Sequence, residues 1–246
     1  MLDLFRLPKD IFSKKKGEFI SQIDSRLITH IYNKESKKNK KLIEHILQYN
    51  NSKIDFFDKD ERAFPADPYF YDSGYYHIML KRYFFAGSFF CRQKRVLDSC
   101  SGLGWGTYIL SSYAKTVTAF DIEEKAILFC KRTWTADNID WIKGDALNIS
   151  FPNDEKYDVV TSFETIEHFS IIKAEEYIDR MSQQLKKGGF FIGTSCFPNT
   201  AIEAETIKKQ NPCHFHIFTI DEISKLLSKY FSENKVIDNW FFIGRK

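Results

Sequence analysis

The chain has 246 residues, 43% hydrophobic and 16% aromatic, with a formal net charge of +3, enough apolar material for one full α/β core and an appendage. Five scattered cysteines without a CxxC pair exclude a zinc or dithiol redox site and read as reduced thiols of a cytoplasmic protein. The most apolar window, YFFAGSFFC at 83–91, is far too short to span a bilayer, and MLDLFRLPKDIF has no signal-peptide core, so a soluble chain with no transmembrane segment is expected.

Charge is concentrated early. Residues 1–62 carry 14 Lys or Arg against 10 Asp or Glu, leaving the remainder near neutral with no bias toward polyanions. Lysine runs KKKGE at 14–18 and KESKKNKK at 34–41 alternate with helical patterns such as ISQIDSRLITHIY and KLIEHILQYN. This predicts a helical N-terminal extension over 1–65 whose lysines are solvated, with phosphate or acidic-lipid contact as the alternative. The turn-rich FPADPYFYDSG at 64–74 then leads into a helix from about Tyr75 to Phe90, near the start of a second domain over 66–246.

From Lys94 onward, short β-branched runs alternate with helical patterns. Strands are predicted at RVLDS (95–99), TVTAFDI (116–122), IDWIKGD (139–145), YDVVTSF (157–163) and GFFIGTS (189–195), the last starting after a glycine turn in LKKGG. The expected fold is a Rossmann-like, doubly wound, mostly parallel α/β sheet. A further run in VIDNWFFIGRK suggests a late hairpin or antiparallel edge strand.

In such a sheet ligands bind at the carboxyl ends of the strands. The first strand exits as VLDSCSGLGWG, where Gly102, Gly104 and Gly106 let a ligand lie against the backbone. Counting from Gly104, Thr107 occupies the third-glycine place of the dinucleotide fingerprint GxGxxG, which disfavours a pyrophosphate cradle. The second strand ends at Asp121, 17 residues beyond Gly104, where a carboxylate can accept both hydroxyl hydrogens of a ribose. The third ends at Asp145, an acceptor suited to the exocyclic amine of adenine. The competing reading is a plain tight turn with two helix-capping aspartates.

Taken in order and spacing, these residues resemble the class I S-adenosylmethionine-dependent methyltransferases, from about His77 to the C-terminus. The resemblance implies that Asp98, Ser99, Cys100, Gly102 and Gly104 hold the methionine moiety and that Asp121 and Ile122 hold the ribose. It places Asp145 and Ala146 beside the adenine, with Phe163 and Glu164 completing the pocket. Cys100 stands where that motif usually carries glycine or alanine. HIMLKRYFFAG at 77–87 resembles the helix preceding this motif in polysaccharide- and sugar-modifying relatives. There Arg82, with His77 and Tyr83, faces the methionine carboxylate or simply packs.

The acceptor side is read from YDVVTSFETIEHF. Glu167, His168 and the distant His214 are candidate catalytic groups, with histidine suited to take a proton from an acceptor hydroxyl, although packed structure is equally consistent. ExxEH with His214 also resembles metal-assisted O-methyltransferases of small RNAs and of the ubiquinone pathway, so a divalent cation is the secondary option and no metal ligand is assigned. The absence of a (D/N)PP(Y/F) tetrapeptide favours a hydroxyl over a nitrogen acceptor. The expected activity is O-methylation of a sugar or other small molecule, with no nucleic-acid partner. The alternatives are a metal-assisted enzyme of RNA or a quinone precursor, or an S-adenosylmethionine-binding module without chemistry.

Overall fold

The structure is a computed structural model and describes residues 19–49, 63–151 and 156–246. The lysine run at 14–18 lies outside the described residues. After a short 3-10 turn, Ile20–Gln22, come helices α1 (Ser25–Lys38), α2 (Lys40–Leu47), α3 (Pro68–Asp72) and α4 (Tyr76–Phe89). The chain then alternates β1 (Arg95–Ser99), α5 (Trp105–Ser111), β2 (Thr116–Asp121), α6 (Glu124–Thr133), β3 (Ile139–Lys143) and β4 (Tyr157–Phe163). It closes with α7 (Ile171–Gln184), β5 (Leu185–Thr194), α8 (Ala201–Lys208), α9 (Ile220–Ser228), β6 (Glu233–Ile237) and β7 (Phe241–Arg245).

The strands form one seven-stranded sheet in the order β3-β2-β1-β4-β5-β7-β6, parallel except for β7, which runs antiparallel to both its neighbours. The doubly wound, mostly parallel α/β architecture expected from the alternation is therefore present. The late hairpin is present too, but its second strand is not an edge: β7 inserts between β5 and β6. Asp238 and Asn239, with φ of 50° and 57°, are the central residues of the turn that the Trp240 amide closes on the Ile237 carbonyl at 3.1 Å, a conformation that matches the twist of the strands it joins. LKKGG forms the first half of β5 rather than a turn, with Gly188 at φ 80° beside a shift in the β4–β5 register.

Alternation of side chains along each strand divides the core. Val96, Val117, Val159, Ile192 and Ile243 face one apolar layer, where α4, α5 and α6 pack. Their sequence neighbours Leu97, Val160, Phe191 and Phe242 face the other, against Tyr177, Ile178 and Met181 of α7 and Ile223 and Leu227 of α9. Being buried on both faces explains why these strands read as continuous apolar runs.

Ile28 and Tyr32 of α1 and Ile46 of α2 belong to the first layer. A polar latch reinforces them: buried Glu35 accepts from the Tyr113 hydroxyl at 2.7 Å and pairs with Arg92 at 3.3 Å, while Asn39 donates to Tyr113 at 3.1 Å. The lysines at 34, 37, 38, 40 and 41 are exposed, as expected for a solvated face. Among the described residues no helix is long and apolar enough to cross a membrane.

Candidate functional site

A cavity of about 380 Å³ opens at the carboxyl ends of β1 to β4, a size ordinary for a small-molecule site. It gathers Arg82, Cys100, Gly102, Asp121, Ile122, Asp145, Ala146, Phe163, Glu164 and His168 from the residues singled out in the sequence. Asp98, Ser99, Gly104, Glu167 and His214 are not in its wall.

Those residues stand just behind it. Asp98 is buried beneath the glycine turn and accepts hydroxyl hydrogens from Thr107 of α5 and Thr161 of β4, each at 2.6 Å. Burial raises its pKa from 3.8 to about 6, against the pull of those two hydrogen bonds. Ser99 donates to the Thr161 carbonyl at 2.7 Å, under the same loop. Gly104, at φ 73°, lies so close to Trp141 and Cys130 that a Cβ would come within 2.6 Å of both. Gly106 makes room for the Tyr83 ring in the same way. Two of the three glycines thus serve packing, while Gly102 faces the cavity.

Asp121 ties the turn to β2. One carboxylate oxygen accepts from the Gly102 amide at 2.9 Å and the other from the Glu123 amide at 3.0 Å. Asp145 accepts from the Leu147 amide at 2.9 Å and the Asn148 side chain at 2.8 Å, closing a turn beside its place in the cavity wall; no helix begins there, so it is not the helix cap considered as the alternative. Ile122 is 63% exposed, an uncovered aliphatic surface between the two acids.

Across the cavity, Arg82 of α4 is buried among the rings of Tyr83, Trp105 and Phe163, its guanidinium 5.7–5.9 Å from each ring centroid. It pairs with Glu164 at 2.8 Å, and Glu164 also accepts from Thr194 at 2.6 Å. His77 is turned away, bonded to Tyr32 at 2.6 Å. Cys100 and Glu164, at φ 53° and 50°, hold left-handed conformations on adjacent strand ends, where a side chain carries strain. For Cys100 this accounts for the preference for glycine in the related motif.

No helical turn spans Glu164 to His168, because the 3-10 turn covers only Ile166–His168. Burial, and next the charge of Glu164, push the Glu167 pKa up to about 8. The His168 ring bonds through Nδ1 to the Cys213 carbonyl at 3.2 Å. A carbonyl only accepts, so Nδ1 carries the hydrogen of that bond. Ligand atoms of Glu167, His168 and His214 lie within 4.8 Å of one another, a spacing compatible with a cation. Glu164, the remaining acid of the ExxEH pattern, is held by Arg82 and Thr194.

Tyr83, expected beside Arg82, lines the cavity, whereas the sequence reading missed Ala63, Ser101, Leu103, Trp105, Thr165, Phe169 and Cys213, all of which line it too. Ser101 is 8% exposed and its hydroxyl has no protein partner. Its position in the glycine turn was the available signal. Ala63 gave none: its carbonyl is fixed by the Trp105 indole at 3.0 Å.

Residues 96–189 match a family model described as a methyltransferase domain. The fatty-acid O-methyltransferase of Mycolicibacterium smegmatis is 28% identical over 107 residues, 43% of this chain and 38% of that protein. Phthiotriol/phenolphthiotriol dimycocerosates methyltransferase 1 of Mycobacterium ulcerans is 32% identical over 114 residues, 44% of this chain and 40% of its own length. The matched segment thus covers about two fifths of the length of these curated relatives. Among solved structures, an O-methyltransferase family protein from Burkholderia thailandensis aligns with a TM-score of 0.60 at 13% identity, over 87% of this chain and 70% of that one. The N-methyltransferase NodS from Bradyrhizobium japonicum, in complex with S-adenosyl-L-homocysteine, aligns at 0.52 and 20% identity, over 72% and 86%. Motif order, sheet topology and these matches together establish that the chain carries a class I S-adenosylmethionine-dependent methyltransferase domain.

Proposed function

We propose that the protein transfers a methyl group from S-adenosylmethionine to an oxygen of a small-molecule acceptor with an apolar body. The observation that carries this reading is the single cavity in which Asp121, Ile122, Asp145 and the Arg82–Glu164 pair converge. Its chemistry fits an adenosyl amino acid. Asp121 suits the ribose hydroxyls, Ile122 one face of the adenine, and Arg82 and Glu164 suit a carboxylate and an ammonium. The buried Nε of Arg82 and the Ser101 hydroxyl, neither of which has a protein partner, are further polar atoms a ligand would satisfy.

When bound, the cofactor supplies a methyl group already activated by its sulfonium. The protein's own share is then alignment and exclusion of water, and Tyr83, Trp105, Phe163 and Phe169 give the cavity its apolar walls. His168, in the cavity wall with its Nδ1 held by the Cys213 carbonyl, is placed to take the proton from an acceptor hydroxyl. Glu167, largely protonated at neutral pH, adds little negative charge beside Glu164. Acceptors with long apolar chains are favoured over sugars because two curated relatives are named for fatty acids and dimycocerosates.

A second reading, transfer assisted by a divalent cation, rests on the cluster of Glu167, His168 and His214. One experiment addresses both. The protein is incubated with methyl-labelled S-adenosylmethionine and a panel of fatty acids, long-chain alcohols, phenols and sugars, with and without EDTA. Labelled ester or ether unaffected by EDTA is the expected result. Loss of transfer with EDTA would favour the cation, and tight S-adenosylhomocysteine binding without transfer to any acceptor would leave only a binding module.

A further inference from the structure

The segment joining α8 to α9 reads NPCHFH at 211–216, and its first two residues dictate a turn. Proline fixes the backbone angle wanted at the second position of a β-turn, and asparagine at the first can hydrogen-bond the chain two residues on. Both bonds of such a turn form: the Asn211 carbonyl accepts from the His214 amide at 3.1 Å, and its Oδ1 accepts from the Cys213 amide at 3.0 Å. A backbone N–H only donates, so Oδ1 is fixed on Cys213 and Nδ2 faces the other way. There Nδ2 donates to His214 Nε2 at 3.1 Å. One side chain thus fixes both the backbone and an imidazole of this turn.

The turn is tied to the cavity. The Phe215 and His216 amides donate to the Glu167 carbonyl at 2.8 and 3.3 Å. The Cys213 carbonyl accepts from His168 Nδ1 at 3.2 Å, and the His214 ring lies edge-on to the His168 ring with centroids 5.3 Å apart. Cys213 and His168 both stand in the cavity wall. His168 ends a 3-10 turn of only three residues, so its ring is oriented by what it touches. Both of these contacts come from the turn that Asn211 folds.

We infer that Asn211 is a positioning residue for His168: it shapes the 211–214 turn so that the Cys213 carbonyl and the His214 ring hold the His168 imidazole toward the acceptor. The inference rests on the proposed methyl-transfer reading and names what aims its base. With a hydrogen held on Nδ1, the ring can take a proton only at Nε2. Asn211 itself does not line the cavity, so removing its side chain leaves the cofactor residues untouched. The effect therefore falls on kcat and not on cofactor binding.

The test uses the full chain with methyl-labelled S-adenosylmethionine and 1-dodecanol as the hydroxyl acceptor. Asn211→Ala is expected to lower kcat about tenfold, part of what a general base contributes, with the KM for dodecanol and the calorimetric S-adenosylhomocysteine affinity within about twofold of wild type. Asn211→Asp keeps an oxygen for the Cys213 amide and should recover most of that loss. In a His168→Gln background Asn211→Ala should cost nothing further, because the group it positions is already gone. Proton–nitrogen NMR of the His168 ring in alkaline buffer needs no acceptor. The wild-type ring should carry its hydrogen on Nδ1, and Asn211→Ala should move it toward Nε2 or average the two. An unchanged kcat or an unchanged ring tautomer in Asn211→Ala would overturn the inference. So would an Asn211→Asp variant that recovers nothing, or losses that multiply in the double variant. A ring that responds to Asn211 as described in a chain that does not methylate dodecanol would instead refute transfer to long-chain hydroxyls, and failure of S-adenosylhomocysteine to bind would refute the cofactor reading.

Discussion

Asp98→Asn isolates the cost of a buried charge under the cofactor turn. Asparagine has the same shape, and Thr107 and Thr161 can each rotate a hydroxyl to give or accept its hydrogen bond, so packing is retained. The carboxylate, raised from 3.8 to about 6, binds its proton more tightly folded than unfolded. Its effect on stability therefore begins near pH 4, grows as pH rises, and is complete above pH 6, where it destabilises by about 3 kcal/mol. Between pH 4.5 and pH 7.5 the asparagine variant should gain about 2 kcal/mol on the wild type. Urea unfolding of both proteins at the two pH values measures that difference directly, and other titrating groups cancel in the comparison. A stability difference that stays constant with pH would show that Asp98 is not perturbed and that the desolvation argument is wrong.

Asp121→Ala should weaken S-adenosylhomocysteine binding about a hundredfold in calorimetry, from the loss of two charge-assisted hydroxyl contacts of about 1.5 kcal/mol each; an unchanged affinity would remove the ribose assignment. Cys100→Gly releases a left-handed side chain at φ 53° and should raise unfolding free energy by about 1 kcal/mol with cofactor affinity retained. A destabilised variant would mean that the thiol's packing outweighs the strain. His168→Gln should lower kcat at least about a hundredfold while leaving S-adenosylhomocysteine affinity intact. A normal kcat assigns proton removal to solvent or to another group.

The two-sided strands were legible because each is an apolar run ending in a polar residue, and Asp121, Asp145 and the glycine turn fall at those ends. Side-chain direction was less accessible. Asp98 and Asp121 both stand near strand ends, but Asp98 is level with Ala119, two residues short of Asp121, and points beneath the turn into two threonine hydroxyls while Asp121 reaches the cavity. That difference of register is set by how the strands pair, which the sequence does not print. The edge strand β6 was legible only as the first arm of the late hairpin, and its start at Glu233 was not, because ENKVI is only half-buried and lacks the apolar signal that marked the inner strands. The latch of Glu35, Tyr113 and Arg92 joins residues 57 and 78 positions apart, a distance at which no local pattern speaks.

Ala63, whose carbonyl the Trp105 indole holds at 3.0 Å, belongs to the segment that joins the N-terminal helices to the sheet, and it forms part of the cavity wall. Occupancy of the cavity is therefore thermodynamically linked to the docking of helices α1 and α2. A ligand at a hundred times its Kd favours the docked arrangement by as much as about 2.7 kcal/mol. Slowed amide exchange in residues 25–47 should accompany cofactor binding, so the lysine-bearing helices would report on a ligand they never touch.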